Sequence, residues 1–359
     1  MIINYYNDWD NSVNEIYLSK DFGGLALDLA ELKNQPLVYV GLAAKVDIST
    51  FLGHEVAVSK RLFVTRNQVV DVLNIILLCF RSIKYFKKVD TLIFFSFVPI
   101  ADLAYLTFVR LFLLKKRGIV IFKTDTNSAN LVNILRGERW IDIFNRFCYR
   151  KSLKIANRIF VENTDCIEIL NMNFYINEEK LFHVPNKLSR GVLRSFSELN
   201  FDRVKENIVV FIGRHDVPKK NYDILLRFWH RFQLIEDWKF IFITGIDLAQ
   251  GNIVSKSVMS RGEVYDLLIR SKVLVNISHN EGYLMSVVEA LYFGNVVYTT
   301  NVGGAEDHLI NGRAVIIEDT AENCLDRLCN DLLRDAIKNN GNIGDQSLTW
   351  PSILSDGLL

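Results

Sequence analysis

The chain is poor in cysteine and carries almost no net charge, and each scarcity closes a class of function. Five cysteines (Cys79, Cys148, Cys166, Cys324 and Cys329) are scattered through 359 residues with no Cys-x-x-Cys pair. That spacing argues against a disulfide framework or a zinc site and for buried thiols in a reducing, cytoplasmic setting. Basic and acidic residues, 42 against 41, balance to a net charge of +1, so nothing global points to nucleic acid. The opening residues Met1 to Asp8 lack the basic and long apolar regions of a secretory signal. There is no internal repeat and no low-complexity tract. The longest apolar stretch, Thr91 to Leu114, is interrupted by Pro99, Asp102 and Arg110. A membrane span needs about 20 residues with few charges, so a buried strand followed by a helix accounts for this stretch better.

What the chain has in quantity is apolar residues, 50% of the total, with a mean hydropathy of +0.14. At this length that is enough for two separate cores. The first half alternates strands (Ile2–Tyr6, Leu37–Val40, Leu92–Phe97, Val120–Lys123, Arg158–Val161, Leu181–Val184) with helices (Leu25–Leu32, Val69–Phe86, Ile100–Lys116, Trp140–Lys154, Asp165–Asn171). Such alternation predicts a mostly parallel, doubly wound sheet. A polar run from Lys187 to Glu206 reads as a connection, after which the pattern restarts. Strands are expected at Ile208–Ile212, Lys239–Thr244 and Ala314–Ile317, and helices at Asn221–Phe232, Arg261–Ser271 and Glu322–Lys338. The division expected is a first α/β domain over 1–190, a linker over 191–206, a second over 207–340 and a short tail over 341–359.

The most informative stretch runs from Val273 to Tyr298. Apolar Val273–Ile277 precedes Asn280-Glu281-Gly282-Tyr283-Leu284, a helical segment carries Glu289, and Gly294 precedes apolar Val296–Tyr298. This predicts strand, loop, short helix, tight turn and parallel strand. In such a unit ligands collect beyond the carboxyl end of the strand, where first-turn N–H groups favour an anion. A carboxylate on the loop and another in the helix could then take two sets of sugar hydroxyls with a diphosphate between them.

Glu281 and Glu289, with Tyr283, Gly294 and Val302-Gly303-Gly304, resemble the Glu-x7-Glu motif of GT-B glycosyltransferases. The likeness is greatest to the retaining family 4, the group 1 glycosyltransferases. It is strong in the second half and thin in the first, and Leu284 stands where the family usually has glycine or proline. The resemblance implies two Rossmann-like domains facing a central cleft. It implies that Glu281 holds the transferred sugar with help from the backbone of Gly282, Tyr283 and Leu284, and that Glu289 binds the ribose. Gly213-Arg214 followed by Lys219-Lys220 resembles the family's diphosphate-holding pair, with Lys220 preferred over Lys219 as the lysine. An Arg fork and a Lys point charge suit a leaving diphosphate. Gly23 and Gly24, ahead of a helix, resemble the family's glycine loop, although a plain strand–helix turn predicts the same residues. Asp125, in Lys123-Thr124-Asp125-Thr126-Asn127, could orient an acceptor hydroxyl, and an Asx turn explains it equally. The tail Ser347 to Trp350 resembles the family's recrossing segment, but only nine residues follow Trp350.

The resemblance implies a hexosyl-transferring enzyme that uses a nucleotide-sugar, UDP- or GDP-linked, as substrate, with no bound cofactor and no metal. The acceptor would be a glycan or a lipid-linked molecule in surface polysaccharide or glycolipid assembly. Basic helix ends at Arg81 to Lys88 and Lys115-Lys116-Arg117 admit docking on an anionic membrane surface, and equally they complement helix C-termini. Three alternatives stay open: an inverting enzyme with Asp125 as base, a catalytically silent scaffold, and an epimerase using the same donor fold.

Overall fold

The computed structural model describes residues 1–7, 12–13, 18, 21–43, 45–60, 68–86, 88–95, 99–113, 118–124, 128–257, 259–310, 313–337 and 343–350. The chain forms two compact units, one built on Met1–Ser195 and one on Phe196–Ser352.

In the first unit the described residues form an eight-stranded sheet. Its strands are β1 (Ile2–Asn7), β2 (Leu37–Ala43), β3 (Thr50–Phe51), β4 (His54–Lys60), β5 (Thr91–Phe95), β6 (Ile119–Lys123), β7 (Arg158–Val161) and β8 (Leu181–His183). They lie in the order β8-β7-β6-β5-β1-β2-β4-β3. Every neighbouring pair is parallel except the edge hairpin β3–β4. The inner strands β2 and β5 are buried along their whole length. That is why they read as continuous apolar runs rather than alternating ones: both faces of a parallel sheet are covered. The helices are α1 (Asp21–Leu32), α2 (Gln68–Phe86), α3 (Pro99–Leu113), α4 (Ser128–Arg136), α5 (Trp140–Ile155), α6 (Thr164–Phe174) and α7 (Arg190–Arg194). α2 packs on α3, and α3 on α5.

The interruptions of the long apolar stretch have structural reasons. Pro99 is the first residue of α3, where a missing N–H costs nothing. Asp102 is buried and accepts a hydrogen bond from the Tyr5 hydroxyl (3.1 Å). The Tyr5 ring is stacked between Phe94 and Tyr105, with centroids 4.9 and 4.1 Å away. Burial and the Asp102 charge push the Tyr5 hydroxyl well above its ordinary range. No described helix is long and apolar enough to cross a membrane.

The second unit repeats the scheme with β9 (Glu206–Ile212), β10 (Lys239–Ile243), β11 (Leu248–Gln250), β12 (Ile253–Lys256), β13 (Ser271–Asn276), β14 (Val296–Thr300) and β15 (Val315–Glu318). The described strands lie in the order β11-β12-β10-β9-β13-β14-β15, and only β11–β12 is antiparallel. The helices are α8 (Tyr222–Arg227), α9 (Trp229–Gln233), α10 (Arg261–Arg270), α11 (Met285–Tyr292), α12 (Ala305–Ile310) and α13 (Ala321–Leu333). Val209, Phe211, Phe240, Phe242 and Val275 line its core, each contributing about 1.5–3 kcal/mol by burial. The connection order reverses between β9 and β13, whose register pairs Val209 with Val273 and Phe211 with Val275. The loops that leave these two strands therefore emerge side by side, at the point where α/β sheets bind ligands.

Some elements differ from expectation. α1 begins at Asp21, so Gly23 and Gly24 lie in its first turn and not in a loop before it. The chain entering this helix presses on it: a Cβ on Gly23 would sit 2.0 Å from the Leu18 carbonyl oxygen. The hairpins β3–β4 and β11–β12 and the helix α4 were not anticipated. The helix expected over Asn221–Phe232 breaks at Phe228 into α8 and α9. Of the tail, Gly344 donates to the Tyr292 carbonyl (2.8 Å) and Trp350 is fully buried, so residues 343–350 pack within the second unit. The remainder of the tail is outside the described residues. All five cysteines are buried free thiols.

Candidate active site

The site is assembled where the loop after β9 meets the loop after β13. Pro218–Lys220 forms a single 3-10 turn that ends on Asn221 in the left-handed conformation, φ 54°. Asn221 then reaches across: its side-chain amide donates to the Ile277 carbonyl (2.7 Å), and the His279 N–H donates to the Lys219 carbonyl (3.0 Å). These two bonds lash the loops together and bring both lysines over Glu281. The Lys220 ammonium lies 2.5 Å from Glu281 Oε1 and the Lys219 ammonium 3.0 Å from Oε2. Burial pushes the Glu281 carboxyl up, but the Lys220 and Lys219 charges and hydrogen bonds outweigh it, and the group is held below the usual range.

Glu289 sits in the middle of α11 and is buried. Its partner is Arg261, at the first position of α10, with Nη2 2.5 Å from Glu289 Oε1. Arg261 also donates from Nε to the Tyr265 hydroxyl (2.9 Å). A cation at a helix N-terminus opposes the dipole, and the paired carboxylate offsets that cost. α10 is started by a capping box in which the Ser260 hydroxyl accepts from the Glu263 N–H and the Glu263 carboxylate accepts from the Ser260 N–H. The far ends of α10 and α11 are joined by Lys205, whose ammonium donates to the carbonyls of Leu268 (2.9 Å) and Phe293 (2.6 Å). Burial lowers the Lys205 amine to about 7.

The loop carrying Glu281 to Leu284 rests on Gly303 and Gly304. Both glycines have positive φ, 56° and 77°. A Cβ on Gly304 would lie 2.5 Å from Tyr283 Cε2, and one on Gly303 would lie 3.0 Å from both Glu281 Cβ and Leu284 Cγ. The side chain of Leu284, the departure from the family pattern, is thus turned into the interior against Gly303 and is buried. Its N–H donates to the Gly303 carbonyl (3.3 Å). The Tyr283 ring meets His308 edge-on, and its hydroxyl lies 3.4 Å from His308 Nε2. Thr300 donates its hydroxyl to the Ser278 carbonyl, bracing the loop from β14.

The residues picked from the sequence therefore fall in different states. Glu281, Lys219 and Lys220 are in direct contact. Gly213 lies against Lys220, for a Cβ there would meet Lys220 Cβ at 3.3 Å. Arg214 is exposed and points to Asp216, pairing through Nε and Nη2 at 2.9 and 2.5 Å, and is not drawn to Glu281. Gly23 and Gly24 lie in the first unit, in α1. Asp125 lies outside the described residues. Reading the chain alone missed Asn221 and Arg261. The sequence already sets Arg261 at the start of its helix, but only the packing of α10 on α11 brings it to Glu289.

Residues 206–335 match the family model described as glycosyl transferases group 1. No curated protein matches the chain. Among solved structures the chain is similar to a sucrose-phosphate synthase from Thermosynechococcus elongatus, at 14% identity and TM-score 0.63, covering 99% of this chain and 97% of that one. It is also similar to a UDP-GlcNAc 2-epimerase from Methanocaldococcus jannaschii, at 14% identity and TM-score 0.61, covering 99% of both chains. Anabaena HepE, solved in complex with UDP-glucose, is 11% identical with TM-score 0.58, covering 99% of this chain and 97% of that one. The two α/β units thus have the fold of GT-B glycosyltransferases and epimerases, and the family match supports a glycosyltransferase-type function.

Proposed function

We propose that this protein is a retaining glycosyltransferase that moves a sugar from a nucleotide-sugar to an acceptor hydroxyl, with the donor bound by the second unit. The observation that carries this reading is the clasp of Lys219 and Lys220 on the Glu281 carboxylate, built at the switch point of the sheet. Two cations and an ionised carboxylate held together are what a donor diphosphate and its sugar require from one loop pair. The diphosphate would draw the ammonium groups and the exposed Arg214 fork, and Glu281 would then accept from the sugar hydroxyls. Glu289, held by Arg261, would take the ribose hydroxyls. In the transfer, the anomeric carbon–phosphate oxygen bond breaks and the acceptor oxygen–anomeric carbon bond forms. The acceptor proton passes to the leaving diphosphate, whose growing charge the lysines stabilise. Leu284 does not count against the catalytic reading, because its side chain is buried against Gly303.

The test is a thermal-shift panel of UDP, GDP, ADP, CMP and dTDP on the wild type and on Glu289→Ala. A nucleotide at 100 times its dissociation constant adds about 2.7 kcal/mol of stability. A shift with one nucleotide, lost in the variant, is expected. No shift with any of them rejects the donor site. Incubation of the donor alone separates the epimerase, which would convert the sugar without an acceptor, and anomeric NMR of the product separates retention from inversion.

A further inference from the structure

We propose that the outer face of α5 docks the protein onto an anionic lipid bilayer. α5 is apolar on two sides. Its inner arc buries Cys148, Tyr149 and Leu153. Its outer arc carries Trp140, Ile143, Phe144 and Phe147, of which Trp140 is 75% and Phe147 50% exposed. At 100° per residue these four positions and the exposed Lys151 and Lys154 fall within one arc of about 100°, so the stripe begins apolar and ends basic. The Phe144 and Phe147 rings are stacked, 6.3 Å between centroids, and the Lys151 ammonium lies 5.4 Å from the Phe147 ring.

A large aromatic stripe left in water is a marker of an interaction surface, and its charge says of which kind. Among the described polar groups bordering it, Asp142 is engaged by Arg139 through bonds of 2.8 and 3.1 Å. Along residues 136–155 the acidic residues are Glu138 and Asp142, against the basic Arg136, Arg139, Arg146, Arg150, Lys151 and Lys154. Aromatic and aliphatic side chains with lysines along the same helix are what an interfacial helix presents to headgroups. α3 lies between α5 and α2, and α2 exposes Leu73 and Phe80 at 53% and 64%. This surface lies on the first unit and makes no use of the donor site of the second.

The experiment is flotation of the full chain with phosphatidylcholine vesicles, with and without phosphatidylglycerol. The wild type should float with the anionic vesicles and stay behind with the neutral ones. The double variant Phe144→Ser/Phe147→Ser should lose at least about tenfold in partitioning while remaining folded, since about half of each residue is already in water. Lys151→Glu should weaken binding to anionic vesicles. A wild type that binds neither vesicle overturns the proposal. So does anionic binding that the double variant leaves unchanged. A dimer seen by light scattering, dissociated by the double variant and blind to vesicles, would assign the face to a second copy of the chain instead.

Discussion

The Lys220 ammonium and the Glu281 carboxylate lie 2.5 Å apart although 61 residues separate them in the chain. The contact exists because β9 and β13 are neighbours in the sheet and their exit loops are tied by Asn221. Burial acts to raise this half-buried carboxyl, and the lysine charges and hydrogen bonds outweigh it and hold the group below the usual range.

A pH dependence follows. Glu281 is held below its unfolded value, so its contribution to stability is complete above the ordinary glutamate range and is lost as pH falls through the folded value. Replacing both Lys219 and Lys220 by Met leaves burial in command, and the sign reverses. The Glu281 carboxyl resonance, followed by NMR on acidification, should titrate below the usual range in the wild type and above it in the double variant. An unchanged titration would remove the clasp from the argument.

Arg261 and Glu289 should behave as one unit. Arg261→Met leaves a buried carboxylate without this guanidinium, at a cost of about 3 kcal/mol. Adding Glu289→Gln should recover most of it, because the stranded charge is gone. Urea unfolding of the two single variants and the double closes the cycle, and strictly additive losses would contradict the coupling.

Gly304→Ala should be damaging out of proportion to one methyl group. The residue is at φ 77°, and its Cβ would lie 2.5 Å from the Tyr283 ring. Strain and overlap together cost about 2–3 kcal/mol. Tyr283 must move, carrying the Glu281 loop with it. Both the melting temperature and the nucleotide-induced shift should therefore fall, whereas Gly251→Ala, which also has positive φ but open space around it, should lower the melting temperature alone.

Asp28 supplies a second pH effect, of opposite sign, in the first unit. Its buried carboxyl accepts from the Ser189 hydroxyl (2.8 Å) and from the N–H groups of Arg190 (2.9 Å) and Gly191 (3.1 Å), at the start of α7. Burial outweighs these bonds and raises the group to about 6. Between about pH 4 and 6 the folded state then binds more protons than the unfolded one, so this group's contribution falls as pH rises through that window. The span corresponds to about 2–3 kcal/mol. Asp28→Asn should remove this slope from the melting curve of stability against pH, and a slope that persists would reject Asp28 as its source.

Much of the fold was legible from residue order. Runs such as Ile208–Ile212 and Val273–Val275 are apolar throughout because buried parallel strands have no solvent face. Their alternation with helical segments implies the doubly wound sheets, and Glu281, Gly282 and Glu289 read as loop and helix from the runs around them. The β11–β12 hairpin was not legible: β11 is exposed along its length and β12 is short and half polar, so neither carries the pattern of a strand. The break at Phe228 was hidden because no proline or glycine marks it.

The sequence by itself determined the buried strands, most of the helices between them and which carboxylates and cations stand at strand exits, because hydrophobic period and helix starts are local properties. Only the tertiary structure decided that Lys219 and Lys220 turn to Glu281 while Arg214 turns to Asp216, that Arg261 holds Glu289, and that the aromatic stripe of α5 faces outward. Those outcomes depend on which strands become neighbours and on which helix face the core has already claimed. Sheet order and packing set both, and no spacing along the chain encodes either.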